Sequence, residues 1–178
     1  RLHENKDDLV IMGLIPETMA LTKYPFVDNP IILIASPQHA LAKREHIPLA
    51  ELSEHAFIHR EKGSGTRKAF EQFLKDKNVP LKVNMTLGNS ETIKQAVMAD
   101  LGISVVSKHS VTLELSTGIL VELKVEGFPL VRSWYLVHHE SKHLSPIAKA
   151  FIDFVLSAEK NVPALRNRFL EQHFFKKT

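Results

Sequence analysis

The chain has 178 residues, 44% of them hydrophobic, and no cysteine. That much apolar surface builds a real core and excludes extended disorder, and the lack of thiols excludes disulfide scaffolds and thiolate metal sites. The net charge of +3 is scattered along the sequence, which suits solubility and is not a nucleic-acid footprint. The longest apolar runs, such as Ile31 to Ala35, are far too short to span a bilayer, and no secretory leader opens the chain.

Leu9-Val10-Ile11-Met12-Gly13 is a compact apolar run after Asp7-Asp8 and reads as a fully buried strand, central in a parallel sheet. Asp7-Asp8 mark its polar entrance. Ile31 to Ala35 reads the same way, framed by Pro30 and by Ser36-Pro37. Residues 38 to 55 are turn-rich, with a short helix predicted at Leu49 to Glu54. A strand follows at Ala56 to His59. Gly63-Ser64-Gly65-Thr66-Arg67 then turns the chain into a helix ending near Lys77, with Phe70, Phe73 and Leu74 on one side.

Leu81 to Leu87 alternates apolar and polar residues, the pattern of a strand with one wet face or an edge. Gly88-Asn89-Ser90 opens a second helix with Ile93, Ala96 and Val97 inward. Gly102 stops it, and Ile103 to Val106 is another strand. Ile119 to Val125 and Trp134 to Val137 are further strands. Ser145-Pro146 pairs an N-cap serine with proline at the first helical position, and Ile147, Phe151, Ile152 and Val155 follow at helical spacing. A last helix is predicted from Ala164 to Phe175, with Leu165, Phe169 and Phe174 apolar and Lys176-Lys177 suited to its negative end. Alternating strands and helices argue for an α/β fold with mostly parallel strands, in which ligands lie at the strands' carboxyl ends.

Both glycine–serine turns fall at that location. In the first, two glycines let the backbone turn tightly and approach a ligand closely, and Ser64 and Thr66 suit a helix N-cap. Free amides and the helix dipole favour an anion there, and Arg67 adds a planar, permanently charged fork. The turn lacks the spacing and lysine of a nucleotide loop. As a small-acid nest or as a plain strand-to-helix turn it reads equally well. Asn89 and Ser90 read as caps that are also able to line a cleft. No nucleophile has an identifiable base, so no catalytic residue is expected. The ten histidines show no metal-ligand spacing: His138-His139 point to opposite faces of a strand, and no metal is expected.

The order of Asp8 to Gly13, Ser36-Pro37-Gln38-His39-Ala40-Leu41-Ala42, Glu61 to Arg67, and Glu91-Thr92-Ile93-Lys94-Gln95-Ala96-Val97 before Leu101-Gly102-Ile103 resembles the effector-binding domain of LysR-type transcriptional regulators. Trp134 to Val137 and the Leu144-Ser145-Pro146 helix fit that family's closing segment. Asn5-Lys6-Asp7-Asp8, Phe26-Val27-Asp28-Asn29-Pro30 and Val125-Glu126-Gly127-Phe128-Pro129 look most like the CbbR/CmpR group, regulators of carbon-dioxide fixation and inorganic-carbon uptake operons.

The resemblance implies a type-2 periplasmic-binding-protein-like fold, two α/β subdomains with a cleft between them, joined by two crossover strands. Subdomain I would comprise 1–25 plus 132–178, and subdomain II 26–131, with crossovers near Leu33 and Val131. Carried over by position, the ligand-binding residues are Gly13, Ser64, Thr66, Arg67, Asn89 and Ser90. The implied function is sensing a small anionic metabolite to control transcription, without enzymatic activity or a cofactor, in a cytoplasmic homo-oligomer (dimer or tetramer) that does not engage a membrane. DNA contact would come only from an N-terminal winged helix absent from this sequence, as is the opening strand and helix of the effector domain. The alternative on the same fold is a solute-binding protein of an ABC importer.

Overall fold

The computed structural model describes residues 1–158 apart from His3, Asn5 and Glu17. In chain order the strands are β1 (Val10–Met12), β2 (Leu21–Asp28), β3 (Ile31–Ala35), β4 (Ala56–Arg60), β5 (Lys82–Leu87), β6 (Ile103–Ser107), β7 (Val121–Leu123) and β8 (Ser133–His139). The α-helices are α1 (Gly65–Leu74), α2 (Ser90–Met98), α3 (Thr112–Thr117) and α4 (Pro146–Ala158), with 3₁₀ helices at Leu49–Glu54, where a short helix was expected, and Lys108–Val111. The chain divides into two compact units: Asn29–Arg132, and Arg1–Asp28 with the chain from Ser133 onward. It passes between them at Asp28–Asn29 and Arg132–Ser133, whereas Leu33 lies in the middle of a buried strand. The helix predicted at 164–175 and its lysine end lie outside the described residues.

The unit containing the N-terminus is built on a three-stranded sheet in which β8 lies between β1 and β2, antiparallel to both. The expected central parallel strand at Leu9–Gly13 is therefore wrong in two respects. β1 is an edge strand among the described residues, and its Ile11 is 47% exposed. An apolar run shows suitability for a pleated surface; it does not count neighbours or set their direction. β2 is not visible as a strand in the sequence, because Lys23 and Pro25 interrupt its pattern. Proline is tolerated there because the β2–β8 register shifts between Pro25 and Val27, where a regular ladder bond is not required.

α4 starts as its sequence predicts, with the Ala148 amide donating to Ser145 Oγ at 3.2 Å. Its inward face differs from the expected one. Ala148 and Ile152 are buried, while Ile147 and Phe151 are exposed. The helix is apolar on most of its circumference, so spacing alone does not single out a face.

The Asn29–Arg132 unit holds a five-stranded sheet in the order β5-β4-β6-β3-β7. β4 is parallel to β5 and β6, and β3 is antiparallel to β6 and β7. β3 is an interior strand and wholly buried, as its composition predicts, but its direction is opposite to the parallel expectation. Two-sided burial produces a continuous apolar run in either direction. Alternation then sorts the core. Ile31, Leu33, Ala35, Phe57, Ile103 and Val105 pack with Phe70 of α1, while Ile32, Ile34, Ile58 and Val106 pack with Ile93 and Val97 of α2. The two helices thus cover opposite faces of one sheet. α3, which the sequence does not announce, is tethered to α2 by a 2.6 Å bond from Lys94 Nζ to Glu114 Oε1.

Gly102 makes the turn from α2 into β6 possible. Its φ is +150°, and a Cβ there would sit 2.5 Å from the Ala56 carbonyl oxygen. Gly102→Ala is expected to destabilise the protein by about 1–3 kcal/mol, the scale for a strained backbone position, as read by urea unfolding.

Candidate functional site

β4 and β5 run side by side in the same direction, and each leads directly into a helix. The helix after β4 goes to one face of the sheet and the helix after β5 to the other. Connections that diverge in this way put both turns outside the strands' carboxyl ends, the usual ligand position in open α/β sheets. Both polar turns open there.

In the first turn Gly63 has φ +100°, a conformation glycine adopts without steric cost. Ser64, buried, caps α1: its Oγ accepts from the Arg67 amide at 3.4 Å. Thr66 follows, half-buried, in the first helical turn. In the second turn Asn89 caps α2, its Oδ1 accepting from the Thr92 amide at 2.8 Å and from the Thr92 hydroxyl at 2.9 Å. α1 has no acidic residue in its first turn, so no carboxylate of its own offsets the dipole there.

Arg60, the last residue of β4, joins the turns. Its Nη1 donates to Ser90 Oγ at 2.9 Å, and its Nε and Nη2 donate to the two carboxylate oxygens of Glu61 at 2.8 and 2.9 Å. The Glu61 amide continues the strand pairing by donating to the Leu87 carbonyl at 3.1 Å. Arg60, acting mainly through its hydrogen bonds, holds the Glu61 carboxyl down at about 2, so it is ionised at neutral pH.

Arg67 turns back over this junction. Its Nη1 donates to the Arg60 carbonyl at 2.9 Å and its Nε to Glu71 Oε1 at 2.7 Å. The fork is therefore partly engaged within the unit. Beneath it lies His59, buried, with Nε2 3.6 Å from Glu71 Oε1 and Nδ1 without a hydrogen-bond partner among the described residues. Burial chiefly, and the Arg67 charge next, push the His59 imidazole below its ordinary value, with Glu71 opposing.

Of the six residues expected at the site, Ser64, Thr66, Arg67, Asn89 and Ser90 gather at this end of one sheet. Gly13 follows β1 in the other unit. Sequence reasoning missed Arg60 and His59. Their signal was present: two polar residues ending an otherwise apolar strand immediately before a glycine turn. His138 is buried, stacked on Tyr24 with ring centroids 5.9 Å apart, its Nδ1 2.9 Å from the His139 carbonyl. Among the described residues no group of three histidine or acidic side chains is arranged to hold a metal ion, and no helix is long and apolar enough to cross a membrane.

This arrangement of strands, helices and turns belongs to a recognisable class. The sequence matches the LysR substrate binding domain over residues 1–160, and the chain belongs to that family, with its type-2 periplasmic-binding-protein-like fold. Within it the similarity is to the CbbR/CmpR group, as the sequence motifs implied. The chain is 48% identical to a RuBisCO operon transcriptional regulator of Allochromatium vinosum over 156 residues, which are 88% of this chain and 52% of that protein. It is 41% identical to the transcriptional activator CmpR of Synechocystis over 162 residues, 91% of this chain and 53% of that one. The chain thus spans about half the length of these curated relatives. A solved structure, the CcmR regulatory domain of Synechocystis in complex with 2-PG, superposes with a TM-score of 0.85 at 40% identity, covering 90% of this chain and 77% of that one.

The buried His59 has a pH consequence. Because its folded value lies below the ordinary 6.5, the unfolded chain takes up the proton first as pH falls. The neutral-imidazole contribution to stability is thus complete above about pH 6.5 and is lost as pH drops below it. His59→Leu is expected to flatten the loss of melting temperature between about pH 7 and pH 5, measured by thermal denaturation across that range.

Proposed function

We propose that this chain is the effector-sensing region of a cytoplasmic, homo-oligomeric LysR-type transcription regulator that binds a small anionic metabolite and thereby controls carbon-fixation genes. The observation that carries the reading is the pair of helix N-termini opening side by side at the ends of β4 and β5, bridged by the Arg60–Ser90 bond. Such termini favour anions through free amides and aligned dipoles. The relative solved with 2-PG points to the ligand's chemistry, and we take 2-phosphoglycolate as the first candidate.

In this reading Ser64, Thr66, Asn89 and Ser90 supply hydroxyl and amide bonds, and Arg67 supplies charge. Gly13 is the sixth candidate ligand residue, and the two units, divided at Asp28–Asn29 and Arg132–Ser133 where 1–25 plus 132–178 and 26–131 were expected, act as the two regulatory subdomains. Neither enzymatic activity nor a cofactor is involved, and DNA contact comes from another part of the regulator. The curated relatives are transcription regulators, which favours this reading over a solute-binding protein of an ABC importer. Effector binding shifts the population of subdomain poses by its difference in affinity for them.

Calorimetric titration of the full-length protein with 2-phosphoglycolate tests the assignment. Thr66→Ala is expected to weaken binding about 3- to 10-fold, the scale of one net hydrogen bond. Arg67→Ala should weaken it by about tenfold or more, the scale of a bond to a charged group. Affinity unchanged in both variants would remove these residues from the site.

A further inference from the structure

The Arg60–Glu61 pair is unusual in what it does not do. It joins sequence neighbours, so it ties no two elements of the fold together. The Glu61 side chain is 39% exposed, a setting in which an ion pair adds little to stability. Yet it is bidentate, and it lies between the two turns of the proposed anion site.

The arginines at the two turns are each matched by a carboxylate. Arg60 faces Glu61 and Arg67 faces Glu71, while Glu91 of the second turn is engaged by Lys94 and Gln95. Arg60 has one edge, Nε and Nη2, on the carboxylate, and its remaining nitrogen, Nη1, on Ser90. A guanidinium edge of that kind matches a carboxylate or a phosphoryl group equally well. The Ser90 bond orients Arg60 independently of Glu61, so a carboxylate swung out to solvent leaves the fork in place with one uncompensated positive charge.

Resting on the proposed function, we propose that Glu61 is an internal competitor for the effector. Its carboxylate occupies the edge of Arg60 that a ligand's anionic group takes, and so restricts the site to ligands more highly charged than a monocarboxylate. A dianionic phosphoryl group displaces one carboxylate from the guanidinium with a net gain in attraction. A monocarboxylate only exchanges like for like and adds the cost of ordering the ligand. Glu61 is thus a specificity-determining residue at the site.

The test is calorimetric titration of the full-length protein with 2-phosphoglycolate, inorganic phosphate and acetate, for the parent, Glu61→Gln, Glu61→Asp, Arg60→Gln and the Arg60→Gln/Glu61→Gln double variant. Glu61→Gln is expected to bind inorganic phosphate about tenfold more tightly, the scale of freeing one charge-assisted bond, and to acquire measurable acetate binding. Its melting temperature should stay near that of the parent. Glu61→Asp, with its carboxylate drawn back by one methylene, should show a smaller gain and provides the same test should the glutamine variant fold poorly. The gain should vanish in the double variant. Unchanged or weaker phosphate binding in both Glu61 variants, or a gain that survives loss of Arg60, overturns the inference while leaving 2-phosphoglycolate binding by the parent intact. Absence of binding by parent and variants to every anion overturns the proposed function as well.

Discussion

Everything at the candidate site depends on the guanidinium of Arg60. It ends β4, reaches the hydroxyl that opens α2, grips the carboxylate that opens the glycine turn, and lends its own carbonyl to Arg67. A buried or half-buried guanidinium needs its donors satisfied, because unpaired charge in a low-dielectric setting is costly. Its Nε and Nη2 are satisfied by the adjacent Glu61, and its Nη1 is satisfied by Ser90 only because the two turns sit side by side. The geometry that makes an anion site is thus the geometry that Arg60 needs for itself.

That junction is placed by the sheet beneath it. β4 is clamped between β5 and β6, its Phe57 facing α1 and its Ile58 facing α2. Phe57 and Phe70 stack with centroids 5.3 Å apart, and the Ser104 hydroxyl donates to the Ile58 carbonyl at 2.7 Å. A strand packed on both faces cannot slip by one residue without exchanging its two sets of side chains. Hence His59 and Arg60 emerge at a defined height, one buried beside Arg67 and one between the two turns. The same rigidity explains why a histidine with an unpartnered nitrogen is tolerated: its neighbours hold it, and burial keeps it neutral.

For a sensor the arrangement has a clear advantage. The helix termini are capped by neutral side chains, Ser64 and Asn89, so the fold does not need an anion in order to satisfy them. An anion arriving there meets two helix starts whose caps are already made, and competes with Glu61 for the edge of Arg60. The chain's place in the LysR substrate binding domain family and its likeness to transcription regulators support the proposed reading of that chemistry.

Much of this was legible in the residues. The strands Ile31–Ala35 and Ile103 to Val106, the helices after both glycine turns, the alternating pattern of β5 and the serine–proline start of α4 follow from local periodicity, capping and turn chemistry, which depend on near neighbours alone. The ordered motifs also carried the family. Other features were not legible, because they depend on partners distant in sequence. The direction of β3 and the edge position of β1 are set by which strands lie beside them, and an apolar run is the same in either case. β2 needed a register shift opposite Pro25, and the buried side of α4 needed the sheet it packs on. Within the candidate site the sequence by itself determined two anion-friendly helix starts, since glycine, serine, asparagine and threonine act there through their own backbone. Only the tertiary structure decided that Arg60 would join them through Ser90 and that Arg67 would reach back to the Arg60 carbonyl, because a long charged side chain takes its direction from whichever acceptors the packed sheet brings within reach.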